Sequence, residues 1–76
     1  MDFQDHCSKL RESLKPFEEE FNNLRLIAID TRVEDSHRHG EMCANVTLAL
    51  RHLEDCRMRL GKAIQAFNGG VSVYPR

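Results

Sequence analysis

The sequence predicts an all-α fold, an antiparallel helical hairpin that works as an oligomer. Three observations carry the prediction. Two long rows of apolar residues recur at alternating spacings of three and four, the period of one helical face. Glycine and proline are scarce before residue 61, with only Pro16 and Gly40. Strand-like alternation is confined to the last few residues.

The first row is Phe3, Cys7, Leu10, Leu14, Phe17, Phe21 and Leu24. Its period places these side chains on one stripe. Pro16 lies inside it, and an internal proline removes a backbone donor and clashes one turn back. The segment therefore reads as a short N-terminal helix over residues 2–14 followed by a second over 16–29, or as one kinked helix. Glu18, Glu19 and Glu20 suit the positive end of a helix starting at the proline. Asp30 and Thr31 break the row, and Thr31-Arg32-Val33-Glu34 has the form of a capping box. The polar stretch 36–40 is either loop or the first turn of the next helix.

The second row is Val46, Ala49, Leu53, Cys56, Leu60, Ala63 and Phe67, widened by Met42, Leu50 and Ile64. It predicts a long helix over about 41–67, roughly seven turns at 3.6 residues each. Asn68-Gly69-Gly70 ends it, because glycine takes the left-handed conformation of a helix end without strain. The tail, 69–76, is too short to form a sheet alone. The chain is thus one helical hairpin domain over 1–76. Both stripes are wider than a two-helix layer can cover, so other subunits are expected.

Seventy-six residues support one domain, and a scaffold this small usually needs a disulfide, a metal or a partner subunit. Three cysteines cannot all pair within one chain. The start carries Asp2, Asp5 and His6 where a secretory leader would be basic and then apolar. No run approaches the ~18 apolar residues of a membrane helix. These features point to a cytosolic chain with reduced thiols, and a partner subunit is left as the staple. With 11 basic and 12 acidic residues the net charge is −1, without the basic excess of a duplex DNA binder. The late cluster Arg51, Arg57, Arg59 and Lys62, with Arg76, suits a small anionic ligand better.

The residues that could carry chemistry have bland readings beside the sharp ones. His39 with Cys43, and His52 with Cys56, sit four apart and could share a zinc ion, but no tight Cys-x-x-Cys element supports this, and Cys56 lies on the apolar stripe. Cys43 with His39 is the sole plausible nucleophile pair and lacks an orienting third group. Gly69-Gly70 follows a helix where a phosphate loop would open one. The expectation is a protein with no catalytic residue, no metal and no cofactor. Arg57 borders the apolar stripe and needs an anion, since an unpaired buried guanidinium costs several kcal/mol. That anion is Glu54 or Asp55 of a neighbouring chain, one of Glu18 to Glu20 across the hairpin, or a phosphate gripped by the planar fork. Gly61, with Ala63 and Ala66 nearby, makes a low spot that permits close helix approach or leaves room for a ligand. Tyr74 beside Arg76 could hold a base and its phosphate, or pack on a neighbour.

The stretch His52-Leu53-Glu54-Asp55-Cys56-Arg57-Met58-Arg59-Leu60-Gly61-Lys62-Ala63-Ile64-Gln65 resembles the second helix of the phage anti-CBASS and anti-Thoeris sponge proteins. That helix reads as a Leu-Glu-acid-Ala-Arg-Met stretch, then an aliphatic, a small residue and an Ala-aliphatic pair. Arg57 matches its Arg-Met step, Gly61 its small position, and Cys56 stands in place of the usual alanine. The resemblance implies a compact homohexamer of hairpins in the cytoplasm of an infected bacterial host. It implies binding of cyclic oligonucleotides or cyclic ADP-ribose derivatives, held without cleavage so that host defence stays silent. Sites would lie between protomers, with Arg, Lys or Thr on phosphates and apolar groups against bases. Chemistry alone adds Arg32, His37, Arg38, Arg59, Lys62, Tyr74 and Arg76 as ligand-binding candidates. The rival expectation is a helical interaction protein that inhibits a host protein by gripping it with the apolar stripe.

Overall fold

The computed structural model describes residues 2–70. Two helices, α1 (Phe3–Asp30) and α2 (Ser36–Phe67), run antiparallel and pack along their length. The body measures 52 × 20 × 19 Å, as expected for a 32-residue helix rising 1.5 Å per residue. No helix among the described residues is long and apolar enough to cross a membrane.

α1 differs from the expected pair of segments. It is a single helix of 28 residues that continues through Pro16, so there is no separate short N-terminal helix. Pro16 and Glu12, whose carbonyl loses its donor, are both exposed, and water can satisfy that carbonyl. Leu14, Glu18 and Phe21, half-buried on either side of the proline, hold both halves against α2. Asp2 caps the start, its Oδ1 accepting from Asp5 N–H at 2.8 Å.

The turn also departs from expectation. Thr31 ends α1, its hydroxyl donating to the Ile27 carbonyl at 2.7 Å, and it forms no capping box with Glu34. Asp35 is the cap of α2, its Oδ1 accepting from His37 N–H at 2.9 Å and Arg38 N–H at 3.4 Å. Stretch 36–40 is therefore helix, and α2 begins about five residues before the predicted start. A carboxylate beside two free donors at the positive end of a helix is worth about 1 kcal/mol. Asp35→Ala should lower the urea unfolding free energy by about that amount, whereas Glu34→Ala should leave the midpoint unchanged.

The end of α2 forms as the sequence predicts. Gly69 and Gly70 take φ of +80° and +87°. Gly70 N–H bonds the Gln65 carbonyl at 2.8 Å and Gly69 N–H the Ala66 carbonyl at 3.1 Å, the crossed pair of a Schellman motif.

The apolar rows do not all enter the seam between the helices. On α1, the line Cys7, Leu14, Phe21 and Ala28 packs inward, and so does a polar line displaced by one turn: Gln4, Arg11, Glu18 and Arg25. The other half of the apolar row, Phe3, Leu10, Phe17 and Leu24, stays 45–50% exposed. On α2, Cys43, Leu50, Arg57 and Ile64 form the seam's centre. Val46, Leu53 and Leu60 lie half in it, while Ala49, Cys56 and Phe67 are open. Phe3 and Phe67 meet with ring centroids 5.3 Å apart, so the open rows of both helices lie on the same side of the hairpin. Ile64 is the one fully buried large side chain among the described residues.

Candidate functional site

Arg57 sits in the seam, about two turns before Ile64. Its Nη1 donates to Glu18 Oε2 at 2.6 Å across the hairpin. Both side chains are mostly covered, at 19% and 23% exposure. Of the anions the sequence offered, the structure places Glu18 against this guanidinium. Arg57 Nε is buried without a hydrogen-bond partner among the described residues. Neither helix alone could hold this pair: α1 supplies the acid from its polar line, and α2 supplies the base from within its apolar one.

Gly61 is buried directly beneath Arg11. A Cβ at this position would stand 3.4 Å from the Arg11 guanidinium, and Arg11 Nε donates to the Arg57 carbonyl at 3.1 Å. The low spot is thus occupied by an arginine of the opposite helix and serves close packing. The polar line continues to Gln4, whose Oε1 accepts from Asn68 Nδ2 at 3.3 Å.

The remaining candidates do not converge on Arg57. Around an α-helix, Arg59 and Lys62 lie about 200° and 140° from Arg57. Both are exposed, and Arg59 pairs with Asp55 at 3.7 Å. Arg32 lies in the connection, with His37 and Arg38 in the first turn of α2; all three are exposed, and His37 contacts Glu41 at 3.1 Å. Arg38 is about 28 Å along the helix from Arg57 at 1.5 Å per residue. Tyr74, Arg76 and the tail beyond Gly70 lie outside the described residues. Within one hairpin the proposed ligand residues form two separated groups, one near the turn and one toward the open end.

Sequence reasoning passed over a different grouping. An open groove of about 530 Å³ runs along the polar side of the hairpin, lined by Arg25, Thr47, Leu50, Arg51, Glu54, Asp55 and Met58. Arg25 is held in place by Asn22, whose Oδ1 accepts from Nε at 3.3 Å and Nη2 at 2.9 Å. Arg51 is exposed and has no ion-pair partner within 4.0 Å among the described residues. The α2 contributors recur at three and four residues, so their common face was visible in the sequence. What the sequence hid was the approach of Arg25 from α1.

The His39–Cys43 pair has a structural use. His39 Nε2 lies 3.0 Å from the Ala28 carbonyl and 3.8 Å from Cys43 Sγ. A carbonyl only accepts, so Nε2 carries the proton and offers Cys43 no lone pair. The imidazole ties the first turns of α2 to the end of α1, where carbonyls lack helical donors. His52 and Cys56 are both exposed. No group of three or more metal-ligating side chains occurs among the described residues. Compared with known proteins, the chain matches no protein-family model, no curated protein and no solved structure.

Proposed function

We propose that this chain is a phage-encoded sponge, acting in the cytoplasm of the infected host. It binds cyclic oligonucleotide or cyclic ADP-ribose immune signals without cleaving them, and so blocks anti-phage defence. The groove carries the reading, alongside the resemblance over residues 52–65. Two guanidiniums, Arg25 and Arg51, flank a hydroxyl at Thr47, and Leu50 and Met58 supply an apolar wall. Phosphodiester oxygens accept the planar forks. Bases lie against the wall, and their exocyclic amino groups donate to Glu54 or Asp55. The volume falls in the usual range of about 300–1,000 Å³ for small-molecule sites. One hairpin leaves the groove open, so the cations near the turn and the open end would complete it from neighbouring copies in a homohexamer.

A stoichiometric trap must bind tightly. A Kd near ~1 nM corresponds to about −12 kcal/mol, and sequestration requires no general base. Native mass spectrometry with cyclic di-adenylate, cyclic tri-adenylate and cyclic ADP-ribose tests the proposal. An intact assembly gaining whole ligand masses, which it releases chemically unchanged, is the expected result. Arg51→Ala should weaken binding at least tenfold, about 1.4 kcal/mol, without altering the assembly. Indifference to every ligand would overturn the sponge. The open apolar face of the hairpin favours the second reading, inhibition of a host protein. Its mark would be a single stoichiometric host partner with no nucleotide bound.

A further inference from the structure

We infer that the open apolar face is covered by a second copy of this chain. The two hairpins form an isologous four-helix bundle with both turns at the same end. The inference does not depend on what the groove binds. Its starting point is how little the single hairpin buries. Among the described residues the buried apolar side chains are Cys7, Ala28 and Ile64. Phe3, Leu10, Phe17 and Leu24 recur every seven residues at 45–50% exposure, and Phe67 is 58% exposed beside Phe3. This side carries no charge along its centre. The charged groove lined by Arg25, Arg51 and Glu54 is on the other side, so the hairpin as a unit has one apolar and one polar face.

The area is that of a dimer. Each half-exposed phenylalanine presents about 100 Å². With the leucines and the smaller residues of α2, the face reaches roughly 600–800 Å². A standard interface buries about 800 Å² per partner, whereas the largest apolar patch of a monomer is about 300–600 Å².

Shape selects the arrangement. The α1 half of the face is bulky, with Phe and Leu every seventh position. The outer row of the α2 half is small: Ala49, Cys56 and Ala63. Within the hairpin Phe3 sits level with Phe67, so in register Leu10 falls between Ala63 and Cys56, and Phe17 between Cys56 and Ala49. A two-fold axis along the hairpin sets α1 of each copy against α2 of the other at those same levels. Leu10 and Phe17 at the middle of the face then each meet a gap between two small residues, and Leu24 falls between Ala49 and the flexible Met42, which keeps the helix separation even. An axis across the hairpin would oppose large with large on one side and small with small on the other. A self-complementary patch closed by one two-fold is the commonest assembly of soluble chains. The arrangement also leaves both grooves facing outward.

The full chain should sediment at an even multiple of its 8.8 kDa mass, with a melting temperature that rises with protein concentration. A folded monomer whose melting is independent of concentration would overturn the inference, as would an odd-numbered assembly. Two tagged chains, each with Cys7→Ser and Cys43→Ser, test the arrangement. One keeps Cys56, and the other carries Phe17→Cys and Cys56→Ser. On mild oxidation of the mixture, a disulfide between position 17 of one chain and Cys56 of the other is expected. Among chains that keep Cys56, self-linked Cys56 dimers as the main product would overturn the proposed axis.

Discussion

Ile64→Ala is expected to lower stability by about 3 kcal/mol, the usual range for a buried Ile or Leu truncation being roughly 2–5. Ile64 is fully buried where α1 and α2 meet. One turn before it on α2, Gly61 packs against the Arg11 side chain of α1, which is fixed by its bond to the Arg57 carbonyl. Helices clamped in this way cannot collapse into the space left by three carbons, so the cavity persists. For a chain of this size about 3 kcal/mol corresponds to a melting shift on the order of 15 °C, a large part of the roughly 4–11 kcal/mol that such a domain has in total. Leu26→Ala provides the contrast. Leu26 is 50% exposed, away from both the seam and the apolar face, and its loss should fall within about 0.5 kcal/mol. Thermal melts at one protein concentration compare the two. A loss below about 1 kcal/mol for Ile64→Ala would mean that the seam is not where the fold is held.

The second large effect concerns Arg57 and Glu18. Arg57→Ala leaves a carboxylate that is four-fifths covered without its cation, at a cost of about 2–3 kcal/mol. Glu18→Gln keeps an acceptor for Nη1 and should cost about 1 kcal/mol. A double-mutant cycle should give a coupling of about 1–2 kcal/mol, because the 2.6 Å contact lies in a partly covered seam. A coupling below about 0.5 kcal/mol would mark an ordinary surface pair. The cycle also separates the two uses of Arg57 that the sequence left open. If the residue holds the hairpin, binding per folded molecule survives Arg57→Ala better than it survives Arg51→Ala. If it grips a phosphate, Glu18→Gln frees the fork and tightens binding.

The sequence by itself determined the helical class, the two long helices and the end of α2. It also determined that more apolar surface exists than one hairpin can cover. The reason is local: a three-four period fixes the face of a helix whatever it packs against, and Gly69 and Gly70 take the end geometry that other residues resist. Local rules also explain two errors. Pro16 predicts a break or a kink because its cost inside a helix is usually decisive. Here the carbonyl left without a donor belongs to Glu12, an exposed residue that water can reach, and contacts on either side hold the helix together. Thr31 and Asp35 are both good caps, and the choice between them depends on where the chain must reverse.

Only the tertiary structure decided which half of each apolar row enters the seam. On α1 the inner lines are Cys7, Leu14, Phe21 and Ala28 with the polar Gln4, Arg11, Glu18 and Arg25, because α2 offers partners for three of those polar groups. Asn68 meets Gln4, the carbonyl above Gly61 meets Arg11, and Arg57 meets Glu18. These bonds join residues 39 to 64 positions apart, beyond the reach of any periodicity. They turn each helix so that Phe3, Leu10, Phe17 and Leu24 are left outside, and they bring Arg25 beside Arg51 to make the groove. Side-chain period belongs to one helix; the rotation of each helix about its axis is set by the hydrogen bonds available across the seam.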